Sequence, residues 1–257
     1  MCPPLGEKKA LPCTCLSSAF LGPEAAALEI SWEGSPPQPG QFFLVKPRRS
    51  GTFLGRPLSV AGWDGAQKKL SFLVAPRGLG SREICDLRPS DGVDLIGPLG
   101  NAWAPADLEG GPIALVAGGI GAAPLLYFAL ELEKPGSALG PYDFFLGSRT
   151  AYINLPIKPR SFIIATDDGS QGQQGRIPSF FDPAPYRAVF TCGPEPMLRA
   201  IGLACMEKNI PCYVSTERMM ACGVGACLGC TVETAGGNRR CCADGPIFPA
   251  QELYFEP

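Results

Sequence analysis

Five of the twelve cysteines lie close together near the end of the chain, with a spacing that suits metal binding. Cys222, Cys227 and Cys230 follow the pattern C-x4-C-x2-C, and the adjacent pair Cys241 and Cys242 comes later. Plant-type 2Fe-2S clusters use this triplet with a fourth cysteine from farther along the chain, because thiolates are soft ligands that suit iron. A zinc site with four cysteine ligands, or disulfides, is the alternative, and spacing alone does not choose between Cys241 and Cys242.

The chain has no histidine, which removes several common kinds of chemistry at once. Ser-His-Asp and Cys-His catalysis, Rieske clusters and histidine-ligated zinc or haem all need an imidazole. Chemistry near neutral pH must therefore come from cysteine, from a carboxylate or lysine with a shifted pKa, or from a bound cofactor. The net charge of −2 also provides no basic surface for DNA or RNA.

Two glycine turns join a strand to a helix in a way that suits phosphate binding. The first, VAGGIGAAP, places Gly118, Gly119 and Gly121 between a buried strand and an apolar helix. Glycine there lets a pyrophosphate approach the backbone, and a helix N-terminus favours its charge. The second, TCGPEPML, repeats the design with Cys192 and Gly193. The alternatives are a packing turn for the first and a buried core thiol for Cys192.

Two acidic residues end a third strand, which the pattern places at the same edge of the sheet. Asp167 and Asp168 suit ribose hydroxyls and disfavour a 2′-phosphate, which predicts NAD rather than NADP. Asp-Asp-Gly is also an ordinary turn, and Ser148 with Arg149 could instead hold a 2′-phosphate. Earlier in the chain, a cation, hydroxyls and backbone amides that suit a dinucleotide diphosphate occur in Gly55-Arg56-Pro57-Leu58-Ser59 and Gly78-Leu79-Gly80-Ser81.

The elements that must position these motifs divide the chain into three parts. Residues 1–102 read as short strands bounded by glycine and proline, which predicts an antiparallel β-barrel. Residues 103–212 alternate strands with helices, which predicts a Rossmann-like parallel sheet that binds ligands at the carboxyl ends of its strands. Residues 213–257 hold the cysteine group and little apolar sequence, so this small part needs a metal to fold.

One stretch of 21 residues, 110–130, carries no charge and is long enough to span a membrane. Its centre is GGIGAAP, and a strand, a glycine turn and a helix explain that pattern better. The first residues show no apolar export segment behind a basic start. We therefore expect a cytoplasmic protein whose cysteines are reduced or bound to metal.

These motifs, in this order, resemble the ferredoxin–NADP reductase-like superfamily, and most closely the electron-transfer subunits of class 1B, NAD-dependent dihydroorotate dehydrogenases. The resemblance covers residues from about Pro39 to Leu253. Its most specific stretches are RPLS at 56–59, VAGGIGAAPL, ATDDGSQGQQG at 165–175, CGPEPM, and STERMMACGVGACLGC running to CCADGPIF.

The resemblance implies three sets of binding residues. FAD is expected at Arg56, Pro57, Leu58 and Ser59, at the backbone of Leu73, Val74 and Ala75, and at Gly80 and Ser81. NAD is expected at Gly118, Gly119, Gly121, Asp167, Asp168, Cys192 and Gly193. The last cluster ligand of the family precedes a residue followed by Asp-Gly-Pro, so the implied ligands are Cys222, Cys227, Cys230 and Cys242.

The resemblance also implies an electron relay that needs a partner. FAD, the 2Fe-2S cluster and NAD would act in this chain, and a partner subunit with FMN would oxidise dihydroorotate to orotate in pyrimidine biosynthesis. The assembly would be a heterotetramer with two copies of each subunit. No general acid or base is needed here, which agrees with the missing histidines. Two other hypotheses stay open: a reductase subunit of an electron-bifurcating or hydrogenase-type complex, against which Cys222 counts, and a zinc-stabilised binding module.

Overall fold

The computed structural model describes residues 9–22, 24–103, 110–137, 140–151 and 155–255. Residues 1–8, on which the expectation about an export segment rests, lie outside this part of the chain. Among the helices of the described residues, none is long and apolar enough to cross a membrane. The charge-free stretch forms a strand, a 3-10 turn and a helix, as its glycine pattern predicts.

Six antiparallel strands in the first part of the chain form a closed barrel, as predicted. They are β1 (Leu11–Phe20), β2 (Ala26–Ser31), β3 (Phe42–Pro47), β4 (Arg56–Asp64), β5 (Lys69–Val74) and β6 (Gly92–Leu99). Their order around the barrel is β1-β2-β5-β4-β3-β6. A short helix, α1 (Leu79–Cys85), follows β5.

Apolar side chains that alternate along the strands fill the barrel. The rings of Trp32 and Phe43 meet edge to face with centroids 4.8 Å apart, and Phe72 meets Phe43 in the same way at 6.0 Å. Cys13 and Cys15 belong to this core, and burial raises the pKa of both thiols to about 11. These two cysteines are therefore packing residues of β1.

A sheet of parallel strands follows the barrel. Its strands are β7 (Ile113–Gly118), β8 (Tyr142–Ser148), β9 (Ser161–Thr166), β10 (Gln173–Gln174), β11 (Ala188–Cys192) and β12 (Cys212–Ser215). Helix α2 (Ala122–Leu132) follows the first glycine turn, and α3 (Glu195–Glu207) follows the second. Because these strands are parallel, both glycine turns and the two aspartates lie at one edge of the sheet, as predicted.

The cysteine-rich segment is built into this sheet. It contains a hairpin of β13 (Thr231–Thr234) and β14 (Gly237–Arg240), and its last strand, β15 (Ile247–Pro249), pairs antiparallel with β12. The order of the large sheet is therefore β10-β9-β8-β7-β11-β12-β15. The expected boundary between residues 212 and 213 falls inside β12. No local sequence pattern indicates that a strand near residue 248 would extend this sheet.

Asn101 ties the end of the barrel to the same last strand. Its side-chain amide donates to the carbonyl oxygen of Ile247 at 2.8 Å, and its Oδ1 accepts from the Ile247 N–H at 3.0 Å. The Asn101 N–H donates to the carbonyl oxygen of Gly245 at 2.6 Å. One residue thus connects the barrel with the cysteine-rich segment and, through β15, with the sheet.

A buried carboxylate holds the end of the sheet opposite to the glycine turns. Asp143, near the start of β8, accepts a hydrogen bond from Arg160 Nε at 2.9 Å and one from the Tyr186 hydroxyl at 2.9 Å. Burial raises the pKa of Asp143, but these bonds lower it more, so the pKa lies below its ordinary value. The stabilisation is therefore present above the ordinary carboxyl pKa and is lost as the pH falls below it.

We expect Asp143→Asn to lower the free energy of unfolding by about 2 kcal/mol, because Arg160 and Tyr186 lose a charged acceptor. Urea unfolding followed by circular dichroism measures the change. Asp86→Asn, at an exposed position, is the control, with an expected change below about 0.5 kcal/mol. Equal urea midpoints for Asp143→Asn and the parent protein would contradict a stabilising role for this carboxylate.

Candidate functional site

The loop that carries the first three cysteines of the cluster motif has a backbone that glycine makes possible. Gly223 and Gly225 have φ angles of 68° and 80°, which other residues rarely adopt. A Cβ on Gly223 would lie 2.7 Å from the Leu44 side chain of the barrel. A Cβ on Gly225 would lie 2.9 Å from the Cβ of Ala243. The loop therefore lies directly against the barrel and against the turn that carries Cys242.

Backbone N–H groups around this loop point at cysteine sulfurs. The Gly225 N–H donates to Cys242 Sγ at 3.1 Å. The Cys227 N–H donates to Cys222 Sγ at 3.4 Å, and the Cys242 N–H donates to Cys230 Sγ at 3.4 Å. Hydrogen bonds of this kind stabilise thiolates and tune the potential of an iron–sulfur cluster.

The four implied ligands form two pairs of thiols. Cys222 and Cys227 interact on the outer side, where Cys227 is exposed, and Cys230 and Cys242 interact on the buried side. A 2Fe-2S cluster takes two thiolates on each iron, so this donor set fits such a cluster. In the part of the chain that the structure describes, no group of three or more His, Cys, Asp or Glu side chains is placed to hold one metal ion.

The two pairs differ in how readily their thiols lose a proton. Burial raises the pKa of Cys222, but N–H groups of the loop, first that of Cys227, lower it more, to about 7. Burial and the neighbouring Cys230 raise the pKa of Cys242 to about 12. Near neutral pH Cys222 is thus partly a thiolate already, whereas Cys242 needs a bound cation to become one.

Cys241, the neighbour of Cys242 in the chain, is hydrogen-bonded to Thr216. Cys241 is fully buried, and its thiol donates to the carbonyl oxygen of Thr216 at 3.4 Å. Burial raises the pKa of this thiol to about 11. These contacts favour Cys242 as the fourth ligand and suit a packing role for Cys241.

An ion pair closes the turn that presents Cys242. Asp244 accepts hydrogen bonds from Arg240, with distances of 2.9 Å to Nε, 2.8 Å to Nη2 and 2.7 Å to the backbone N–H. These bonds lower the pKa of Asp244 to about 2. Arg240 also donates to the carbonyl oxygen of Gly225 at 3.4 Å, so one side chain fixes both the turn and the loop. The aspartate of the Asp-Gly-Pro motif therefore shapes the cluster site.

The residues implied for FAD meet at one end of the barrel. The Arg56 guanidinium covers the first turn of α1, since a Cβ on Gly80 would lie 2.4 Å from Arg56 Nε. The N–H groups of a first helical turn lack helical partners, and together with a guanidinium they suit a diphosphate. The Ser81 hydroxyl bonds to the N–H and carbonyl of Gly78 at 2.9 and 3.0 Å, so it closes this turn.

A cleft of about 800 Å³ separates this end of the barrel from the carboxyl edge of the sheet. Ala75 and Arg77 line it on the barrel side, and Gly118, Gly119 and Asp167 line it on the sheet side. Its volume lies within the range of small-molecule and cofactor sites. The cleft thus gathers the end of the expected FAD segment at Ala75 and three of the residues expected at NAD.

The glycines at this edge are required for two different reasons. A Cβ on Gly121 would lie 2.3 Å from the carbonyl oxygen of Cys192, and one on Gly193 would lie 2.9 Å from the Cα of Gly118. Close packing therefore requires glycine at Gly121 and Gly193. Gly119 differs, because its φ is 53° and nothing surrounds its Cβ position. Gly119 is the glycine that leaves room for a ligand.

Two residues expected at NAD serve the fold. Cys192 is a buried residue of the core that the sheet shares with α2, and burial raises its pKa well above the ordinary thiol value. Asp168 accepts from the N–H and the hydroxyl of Ser170 at 2.9 and 2.6 Å, as in an ordinary turn. Cys192 is thus a buried core thiol and Asp168 belongs to an ordinary turn, which were the alternatives given for them. Contact of either residue with NAD stays a prediction.

The cleft also contains charged residues that the motifs did not single out. Arg77, Arg176 and Glu24 line it. Arg77 directly precedes the Gly78–Ser81 motif, which is a signal that could have found it. Glu24 lies in the connection between β1 and β2, and no motif surrounds it.

Comparison with solved structures agrees with this architecture. An NADH-dependent reduced ferredoxin-NADP oxidoreductase, studied for flavin-based electron bifurcation, matches with a TM-score of 0.82 and 25% identity over 97% of this chain and 92% of that one. A ferredoxin NADP+ reductase from Neisseria gonorrhoeae with bound FAD and NADP matches with a TM-score of 0.64 and 18% identity over 79% and 92%. The fold and the site define a ferredoxin-reductase-like protein with an added iron–sulfur segment.

Sequence comparisons identify the family within this class. Residues 217–254, which contain all four implied cluster ligands, match the iron-sulfur cluster binding domain of dihydroorotate dehydrogenase B. The dihydroorotate dehydrogenase B (NAD(+)) electron transfer subunit of Clostridium acetobutylicum is 38% identical over 85% of this chain and 87% of its own length. That of Caldanaerobacter subterraneus is 32% identical over 93% and 96%. The chain belongs to the family of dihydroorotate dehydrogenase B (NAD(+)) electron transfer subunits.

The two adjacent cysteines provide a matched test of the fourth ligand. We expect Cys242→Ser to lose most of its iron and sulfide, because the inner pair would lose one thiolate. Cys241→Ser should keep about two irons and two sulfides per chain, since its thiol bonds to Thr216. Iron and acid-labile sulfide, measured after anaerobic purification, separate the two variants. Retention by Cys242→Ser with loss by Cys241→Ser would reverse the assignment.

Proposed function

We propose that this chain relays electrons between a partner subunit and NAD, as the electron transfer subunit of an NAD-dependent dihydroorotate dehydrogenase. The observation that carries the proposal is that the three expected sites are contiguous. Gly223 of the cysteine loop touches Leu44, and Leu44 is paired in the barrel with Pro57 of the expected FAD segment. At the same end of the barrel, Ala75 lines the cleft toward the sheet.

The residues of this chain bind and position groups, and none needs to move a proton. Bound FAD would exchange two electrons as a hydride with a nicotinamide and single electrons with an iron–sulfur cluster. We assign the FAD diphosphate to Arg56 and the first turn of α1. The dinucleotide would approach the sheet at Gly119, where the backbone leaves open space. The N–H groups of the cysteine loop would stabilise the charge on the sulfurs.

The outer pair of thiols lies where a partner could approach. Cys227 is exposed, and the apolar side chains of Met219 and Leu228 in the same segment of the chain are 92% and 63% exposed. Large exposed apolar side chains beside a redox site suit a protein interface. The partner that we propose is a subunit with FMN that oxidises dihydroorotate to orotate, and electrons would then flow through the cluster and FAD to NAD. We also propose a heterotetramer and a cytoplasmic location.

A second candidate function is a reductase subunit in an electron-bifurcating complex. It is favoured by the match over 97% of the chain to the NADH-dependent reduced ferredoxin-NADP oxidoreductase. The two candidates require different partners. Copurification with an FMN subunit that oxidises dihydroorotate supports the first candidate, and copurification with a ferredoxin-dependent subunit supports the second.

The cofactor content of the purified chain tests the proposed relay. After anaerobic purification we expect about two irons, two sulfides and one FAD per chain, and an absorption spectrum that NADH bleaches. Zinc, iron, sulfide and flavin are measured in the same sample. Zinc without flavin or sulfide would contradict the relay and would favour the zinc-stabilised binding module.

Arg56 provides a test of the expected flavin site. We expect Arg56→Gln to weaken FAD binding by about 10- to 100-fold, because a guanidinium contact to a diphosphate is lost. Flavin retained after gel filtration, and the dissociation constant from fluorescence titration, measure the effect. Arg88→Gln, an exposed arginine elsewhere on the barrel, is the control and should bind FAD as the parent does. Unchanged FAD affinity in Arg56→Gln would exclude Arg56 from the flavin site.

A further inference from the structure

Two arginines in the cleft each contact a carboxylate from another segment. Arg149, just after β8, pairs with Glu24 of the connection between β1 and β2. Arg176 pairs with Asp167, just after β9, at 3.4 Å. All four side chains line the cleft, and we name this group the strand-end subsite. Glu24 comes from the barrel, whereas the other three residues come from the sheet part of the chain.

Hydrogen bonds between the two loops make the subsite one unit. The Asp167 N–H donates to the carbonyl oxygen of Ser148 at 3.0 Å, and the Asp168 N–H donates to that of Arg149 at 3.2 Å. The Ala151 N–H donates to the Ser170 hydroxyl at 2.6 Å. The carboxyl ends of parallel strands are where a nucleotide ribose is bound in this type of sheet. The strand-end subsite is therefore placed to meet the adenosine ribose.

The charges of the subsite favour a ribose hydroxyl over a phosphate. Arg149 and Arg176 each pair with one carboxylate, that of Glu24 or of Asp167, so the four side chains of the subsite carry no net charge. A 2′-phosphate would bring nearly two negative charges next to these carboxylates, and like charges at short range repel. A 2′-hydroxyl carries no charge and can donate to a carboxylate.

The arginines would suit a 2′-phosphate if they were free to bind it. A guanidinium binds phosphate well, and the sequence alone made Arg149 a candidate for that role. The Arg149 side chain is 75% exposed and the Glu24 side chain is 34% exposed, so their ion pair is weak and does not hold Arg149 rigidly in place. Glu24 acts instead by keeping a negative charge beside Arg149, which a 2′-phosphate would have to displace.

We propose that Glu24 is a specificity-determining residue that makes the cleft select NAD over NADP. It neutralises Arg149 and repels a 2′-phosphate, and it does so from the barrel rather than from the nucleotide-binding sheet. The inference rests on the proposed function, because it assumes that the cleft binds a nicotinamide dinucleotide. Asp167 of the sheet already predicts a preference for NAD over NADP, and Glu24 adds a barrel residue to that preference.

Binding of two adenosine nucleotides tests the proposal without any redox reaction. 5′-AMP and 2′,5′-ADP (adenosine 2′,5′-bisphosphate) differ only by the 2′-phosphate, and calorimetric titration gives both dissociation constants. In Glu24→Gln we expect the ratio of the two affinities to shift by about 10-fold toward 2′,5′-ADP, as one charge-assisted contact is gained. Adding Arg149→Gln should remove this gain. Glu33→Gln, which alters an exposed barrel carboxylate paired with Lys68, should leave the ratio unchanged.

Initial rates provide a second measurement. In Glu24→Gln we expect KM for NADPH to fall while kcat with NADPH stays similar, because the change affects the adenosine end and not the nicotinamide. An unchanged affinity ratio in Glu24→Gln, with 5′-AMP still bound, would overturn the role of Glu24 and leave the proposed function standing. A gain that survives Arg149→Gln would also overturn it. If the parent protein bound neither nucleotide, the proposed function and the inference would both be overturned.

Discussion

The pairing of β15 with β12 is the contact on which the arrangement of the three sites depends. The cysteine-rich segment has little apolar sequence of its own, and its last strand joins it to the large sheet. Asn101 secures the same strand from the barrel side through both backbone groups of Ile247. As a result, one buried cluster of side chains includes Leu44 and Leu99 of the barrel, Val214 of the sheet, and Cys230 and Phe248 of the last segment.

This shared core explains how a chain without histidine can support redox chemistry. Electron transfer requires that the groups be held close together and kept from moving apart, and a close-packed core provides that constraint. Backbone N–H groups and arginines then adjust the charges of the side chains around the cluster site. Cys222 and Asp244 illustrate the effect. Burial raises the pKa of Cys222 but loop N–H groups lower it more, to about 7, and bonds from Arg240 lower the pKa of Asp244 to about 2.

Local patterns in the sequence predicted the features that depend on residues close together in the chain. The glycine turns, the strands next to them and the cysteine spacing are local features, and the structure has the predicted barrel and parallel sheet. The pairing of β12 with β15 joins residues more than thirty positions apart, and Glu24 is 125 positions from Arg149. Contacts of this kind depend on how the parts pack, so no local pattern indicates them. The same limit applies to Cys192, whose motif did not show that its side chain points into the core.

Electron paramagnetic resonance of the chain with and without its flavin tests the relay most directly. We expect NADH to produce the signal of a reduced 2Fe-2S cluster only when FAD is present, and FAD added back to flavin-free protein to restore that signal. Dithionite should produce the same signal in both samples, which controls for an intact cluster. A cluster that NADH reduces equally well without flavin, or that it never reduces with flavin bound, would contradict the relay.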